Sequence, residues 1–107
     1  MAKVALVYCD SYDEEKVYKA VKRGIELIGG LQPIFKESEN ILLKPNLLSA
    51  DPPEKYSTTH FEVFHAVARN LQEFGLNLKY GDSPAFHKPE TAAKKAGIKD
   101  VADKLNI

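Results

Sequence analysis

Three short apolar runs, at residues 4–8, 41–44 and 76–80, are separated by stretches long enough for a helix, and this alternation constrains the fold more than any other feature. Uninterrupted runs of Val, Ile, Leu and Tyr suit strands covered on both faces of a parallel sheet. In the first gap Val17, Val21, Ile25 and Ile28 recur at helical spacing, with Glu14, Glu15, Lys19, Lys22 and Glu26 on the opposite face. That pattern predicts an amphipathic helix running from Asp13 to a stop at Gly29-Gly30, with its acidic residues placed where the helix dipole favours them. In the second gap Val63, Val67, Leu71 and Phe74 form the stripe, Phe64 and Ala68 widen it, and Gly75 closes it. Thr59 and Glu62 have the spacing of a capping box at its start. Pro89 is placed to open a third helix that runs through alanines to Gly97, and residues 99–105 supply a last helical turn or two.

The predicted order is strand, helix, strand, helix, strand, helix, helix, with spacings suited to right-handed crossovers. This is a three-layer, Rossmann-like α/β unit, with a small, mainly parallel sheet and helices on both faces. Residues 1–107 make a single domain. The chain stops where a fourth strand is expected, which marks it as the N-terminal part of a longer protein. The most informative connection is residues 45–58, which hold three of the six prolines and admit no helix. Loops longer than about 12 residues in a compact domain tend to be functional.

Composition narrows the function. The 107 residues carry 15 Lys and Arg against 15 Asp and Glu, so no positive field attracts nucleic acid or an anionic membrane. The single cysteine, Cys9, permits no internal disulfide and cannot supply the thiolates of an iron-sulfur cluster or a structural zinc site. No metal site is therefore expected within this chain. The first ten residues lack the apolar core and cleavage site of a signal peptide, and no apolar run approaches the roughly 18 residues of a membrane span. The expected location is cytoplasmic.

Ligands of open parallel sheets bind outside the carboxyl ends of the strands, where loops and helix N-termini converge. Here those ends carry Cys9-Asp10-Ser11-Tyr12, Lys44-Pro45-Asn46 and Gly81-Asp82-Ser83-Pro84, with Thr58-Thr59-His60 at a helix start. A small anionic ligand would draw charge from Lys44, hydrogen bonds from Asn46 and Ser83, and an anion seat from Thr58, Thr59 and the adjacent amides. Asp82 or His60 would move protons, and Cys9 is a third catalytic candidate. Each has a plainer reading. Cys9 serves as a small hydrophobe, Lys44 as a solvated tip, Asn46 as a turn, Thr58 and Thr59 as helix caps, His60 as a surface group, and Asp82 and Ser83 as a tight turn freed by Gly81. No GxGxxG, P-loop, HExxH, CxxC or GxSxG pattern is present.

The runs VYCDSYDEEKVYKAVKRGIELIGG, ILLKPNLLSADPPEKYSTTHFEVFHAV and YGDSPAFHKPETAAKKAGI together resemble the N-terminal part of the family known as domain of unknown function 362, often labelled iron-sulfur centre proteins. The most specific piece is Lys44-Pro45-Asn46-Leu47-Leu48, followed by Thr58-Thr59-His60 and then Gly81-Asp82-Ser83-Pro84. The resemblance implies a longer parent with further α/β sequence, many members carrying cysteine-rich, ferredoxin-like segments that bind 4Fe-4S clusters. Two departures stand out: Phe61 where the family is expected to place proline, and Phe86-His87 in place of a more glycine-rich turn. The expected partners are a small anionic ligand and the remainder of the parent chain. The alternative is a scaffold module that docks on that remainder, or on a second copy, through an exposed sheet edge.

Overall fold

A computed structural model describes residues 2–47, 52–55, 58–81 and 89–107. Helix α1 spans Glu14–Leu27, and Asp13 caps it by accepting the Lys16 N–H at 3.1 Å. Gly29 and Gly30 end it at φ 111° and 80°, the left-handed region that glycine enters freely. Strands β1 (Asn40–Leu43) and β2 (Asn77–Tyr80) pair in parallel, from Asn40 opposite Asn77 to Leu43 opposite Tyr80. Between them come a short 3-10 turn at Pro53–Lys55 and helix α2 (Phe61–Glu73). Helices α3 (Pro89–Lys95) and α4 (Ile98–Lys104) follow. Among the described residues no helix is long and apolar enough to cross a membrane.

The sheet alternates as its period of two requires. Ile41, Leu43, Leu78 and Tyr80 are half-buried, whereas Asn40, Leu42, Asn77 and Lys79 are exposed. Tyr80 meets Phe64 of α2 edge-on at 5.6 Å, which fixes the helix-bearing side. The core on that side joins Leu47, Phe64, Ala92, Ala93, Ala96, Ile98, Val101 and Ala102. Small alanines let α3 and α4 sit close, and Gly97 turns the corner between them at φ 83°. A Cβ at Gly97 would lie 2.9 Å from Phe61 Cδ1, so the close approach also requires glycine.

The α1–α2 seam is mainly polar. Arg69 lies over the Tyr18 ring at 3.9 Å and donates to Glu15 at 3.1 Å, while the Tyr18 hydroxyl donates to the Glu73 carboxylate at 2.6 Å. Hydrogen bonding to Glu73 holds the Tyr18 phenol above its usual pKa.

Two expectations are corrected. Residues 4–8 form no strand: the described sheet has two strands, and this segment has no regular structure and belongs to neither. Ala5 and Val7 are half-buried, and Val7 lies against α1, its Cγ2 3.8 Å from where a Gly24 Cβ would sit. Val4, Leu6 and Tyr8 are 93%, 95% and 87% exposed. An apolar run covered on one side only lacks the neighbour that a ladder requires. The expected capping box is displaced by one residue, because His60, not Thr59, caps α2.

Candidate functional site

Two contacts tie down the start of α2, the first of them to the carboxyl end of the sheet. Thr59 donates its N–H to the Asn46 carbonyl at 2.9 Å, and its Oγ1 accepts the Asn46 N–H at 2.8 Å. With its hydroxyl committed there, Thr59 neither caps α2 nor pairs with Glu62. The cap falls to His60, whose Nδ1 accepts the Glu62 N–H at 3.1 Å, and the next two amides of the turn donate to the His60 carbonyl. The amides of Glu62, Val63 and Phe64, which the start of α2 would offer to an anion, are thus already used. Thr58 Oγ1 is buried without a hydrogen-bond partner among the described residues.

The second contact is aromatic. Tyr12 stacks flat on His60, with centroids 3.7 Å apart and planes 5° from parallel, and His60 stacks in turn on Phe61 at 4.5 Å. Burial pushes the His60 imidazole below its usual pKa, with Glu54 pulling weakly the other way. The neutral form fits its geometry, since Nδ1 must keep its lone pair to accept from Glu62.

Behind this stack lies a cavity of about 520 Å³. Ala5, Val7, Val17, Ala20, Val21 and Val63 make its apolar walls, and Cys9, Asp10, Ser11 and Tyr12 its polar rim. Cys9 is exposed, and its thiol donates to the Ser11 carbonyl at 3.3 Å. Asp10 lies 3.6 Å from Lys16, so the formal charges of the rim offset each other. A smaller recess of about 160 Å³ shares Val63 and includes Lys44, Pro45 and Thr59. Of the expected site residues, Cys9 lines the larger hollow and Lys44 and Thr59 the smaller, while Asn46 and His60 line neither and contact them through Thr59 and Tyr12. Asp82 and Ser83, with Phe86 and His87, fall outside the described residues.

A second polar group went unread in the sequence. Where the first turns of α1 and α2 meet, His65 Nδ1 lies 3.0 Å from Glu14 Oε1 and 4.0 Å from Glu62 Oε1. His65 is buried, the Glu62 side chain is 12% exposed, and its Oε2 is wholly buried without a hydrogen-bond partner among the described residues. Burial pushes the Glu62 carboxyl above its usual pKa; Glu14 and Asp13 add to this, and His65 and Lys104 oppose it. Lys104 lies 4.0 Å from Glu14. The signal that could have found the group is Glu62-x-x-His65, an i, i+3 pair of ligand-bearing residues on one helical face.

The thiolates of a 4Fe-4S cluster find no match here, because Cys9 is the sole cysteine in the sequence. The chain is 34% identical over 104 residues to a thylakoid-associated protein of Synechocystis, an alignment covering 97% of this chain and 32% of that protein. The chain thus spans about a third of the length of the curated relative it matches. No solved structure gives a significant match. The family model for the domain of unknown function (DUF362) matches residues 41–107, from the first residues of β1 through α4, and the chain belongs to that family.

Proposed function

We propose that the chain is an α/β portion of a longer protein and receives a small molecule whose apolar body lies between the N-terminal segment, α1 and α2 and whose anionic end reaches the carboxyl end of β1. The observation that supports this reading is the cavity of about 520 Å³ behind the Tyr12–His60 stack. Its size falls in the range of about 300–1,000 Å³ typical of small-molecule sites, and apolar walls with a few polar rim groups are their usual make-up. The anionic end passes Val63 into the smaller recess, toward Lys44 and Thr59. His60 or Asp82 transfers protons, Asn46, Thr58 and Ser83 add hydrogen bonds, and the Cys9 thiol is the nucleophile at hand. In the longer protein a third layer of helices covers Leu42 and completes a Rossmann-like unit. Any 4Fe-4S cluster is held by cysteines outside this chain, and the location is cytoplasmic.

The probe for this reading is anilinonaphthalene sulfonate, an apolar aromatic body with one anionic group. The full chain is expected to enhance its fluorescence at one site, and Ala20→Phe, which fills the cavity, to abolish that enhancement. Equal fluorescence from the native chain and Ala20→Phe would sink the proposal, because the probe would then be reporting the exposed Val4, Leu6 and Tyr8 instead.

Those three side chains favour a second reading, a docking module that binds the remainder of the longer protein or a second copy. Sedimentation of the full chain tests it. Concentration-dependent dimerisation that Leu6→Ser removes supports self-docking, and a strictly monomeric chain rules it out.

A further inference from the structure

We propose that Glu14, Glu62 and His65 bind one divalent first-row transition-metal ion at the seam between α1 and α2. Their ligand atoms all lie within 4.8 Å of one another. Such an ion sits about 2.0–2.2 Å from imidazole nitrogen and carboxylate oxygen, so adjacent ligands stand roughly 3 Å apart. The observed separation of His65 Nδ1 from Glu14 Oε1 is 3.0 Å. Glu62 Oε1, at 4.0 Å from the same nitrogen, closes on the ion by a small side-chain rotation.

The donor set has a physical logic beyond proximity. Glu62-x-x-His65 presents a carboxylate and an imidazole from one helix, and Glu14 adds a carboxylate from its neighbour, an arrangement that helix pairs use to hold iron or manganese. The Glu62 carboxylate makes no hydrogen bond among the described residues, and its Oε2 is fully buried. An ionised carboxylate in that position lacks the partner that burial demands, and a cation supplies it. One imidazole with two carboxylates suits zinc, manganese or ferrous iron better than magnesium or calcium, which take oxygen ligands alone. Three protein ligands leave coordination positions open to water or to a further ligand. Lys104, 70% exposed and 4.0 Å from Glu14, competes for the same carboxylate but can swing into solvent.

Binding requires the His65 Nδ1 lone pair, with the ring proton on Nε2, so the ion takes the place of the close contact between Nδ1 and Glu14, and affinity falls as acid competes for the ligands. The test is titration of the metal-stripped full chain with Zn2+ and Co2+. The expected result is one equivalent bound, a raised thermal midpoint, and cobalt d–d absorption. Glu14→Gln alters an exposed side chain outside the core, and it lowers affinity at least about 10-fold, as does Glu62→Gln. Glu37→Gln, on the exposed surface away from the seam, leaves affinity unchanged. The proposal is overturned by the absence of stoichiometric binding at micromolar metal, or by binding that survives both Glu14→Gln and Glu62→Gln at full strength. The seam would then be a polar contact between helices and no more.

Discussion

The two ends of the chain spend their apolar residues differently. Toward the C-terminus, Ala92, Ala93, Ala96, Ile98 and Ala102 are all 0–1% exposed and close on Leu47 and Phe64. Toward the N-terminus, α1 buries Val17 alone, and Val4, Leu6 and Tyr8 face outward. α1 is held to α2 chiefly by the Tyr18, Arg69 and Glu73 contacts and by Glu15. Exposed ion pairs contribute little to stability, on the order of 0–1 kcal/mol each, so the first region depends on the second. Residues 41–107 match the family, and they are also the part whose core is complete. The N-terminal segment instead leaves Val4, Leu6 and Tyr8 exposed.

If the contrast is real, the largest losses come from the closed core. Ile98 is 0% exposed, and Ile98→Ala is expected to destabilise the chain by about 2–5 kcal/mol in urea or thermal unfolding. A loss below about 1 kcal/mol would mean that the C-terminal core can collapse around the gap. Next comes Gly97→Ala, which places a Cβ 2.9 Å from Phe61 at a positive φ. Left-handed strain and overpacking together should cost about 2 kcal/mol in the same measurement.

His60 links the two regions, since it caps α2 and carries Tyr12. Loss of a cap costs about 1 kcal/mol, and loss of a stacked aromatic pair a similar amount, so His60→Ala should cost about 1–2 kcal/mol at pH 7.5. The same side chain sets a pH dependence. Burial lowers its folded pKa below the unfolded value of 6.5, so between those two values the unfolded chain binds more protons. Its contribution is fully present above pH 6.5 and is lost as pH falls through that window, because protonation of Nδ1 breaks the bond from the Glu62 N–H. The gap in stability between the native chain and His60→Ala should therefore narrow on acidification. A gap that holds constant to pH 5 would show that capping does not depend on the neutral imidazole.

Helical period was legible because the stripe of α2 and the stop signals at Gly29, Gly30, Gly75 and Gly97 are local features of the chain. β1 and β2 were found within a residue at each end for the same reason. Residues 4–8 show where that legibility fails. Their composition meets the requirement for a strand, but a ladder depends on a neighbour, and composition does not say whether one is present. The α2 cap was misplaced because Thr59 and His60 can both accept a backbone N–H, and the choice was made by Asn46, thirteen residues away. The site was legible as an edge of the sheet and not as a pair of hollows. Its apolar walls include Val17 and Val21, which the periodicity had assigned to the core. Glu14 and Glu62 were read as helix-end charges, and His65 stood inside an apolar stripe, so nothing local joined them.

The smallest expected effect is the one most able to break the comparison. Leu6 is 95% exposed, so Leu6→Ser removes little buried apolar area and should change stability by less than about 0.5 kcal/mol in the dilute chain. If the segment docks on a second copy, the same substitution at high concentration is expected to cost more. Paired chemical-denaturation curves at low and high protein concentration make the measurement. A cost above about 1.5 kcal/mol in the dilute chain would place Leu6 in a core after all. The segment would then have added itself as a third strand at the free edge of β1, and the contrast between a closed C-terminal region and an open N-terminal one would fall.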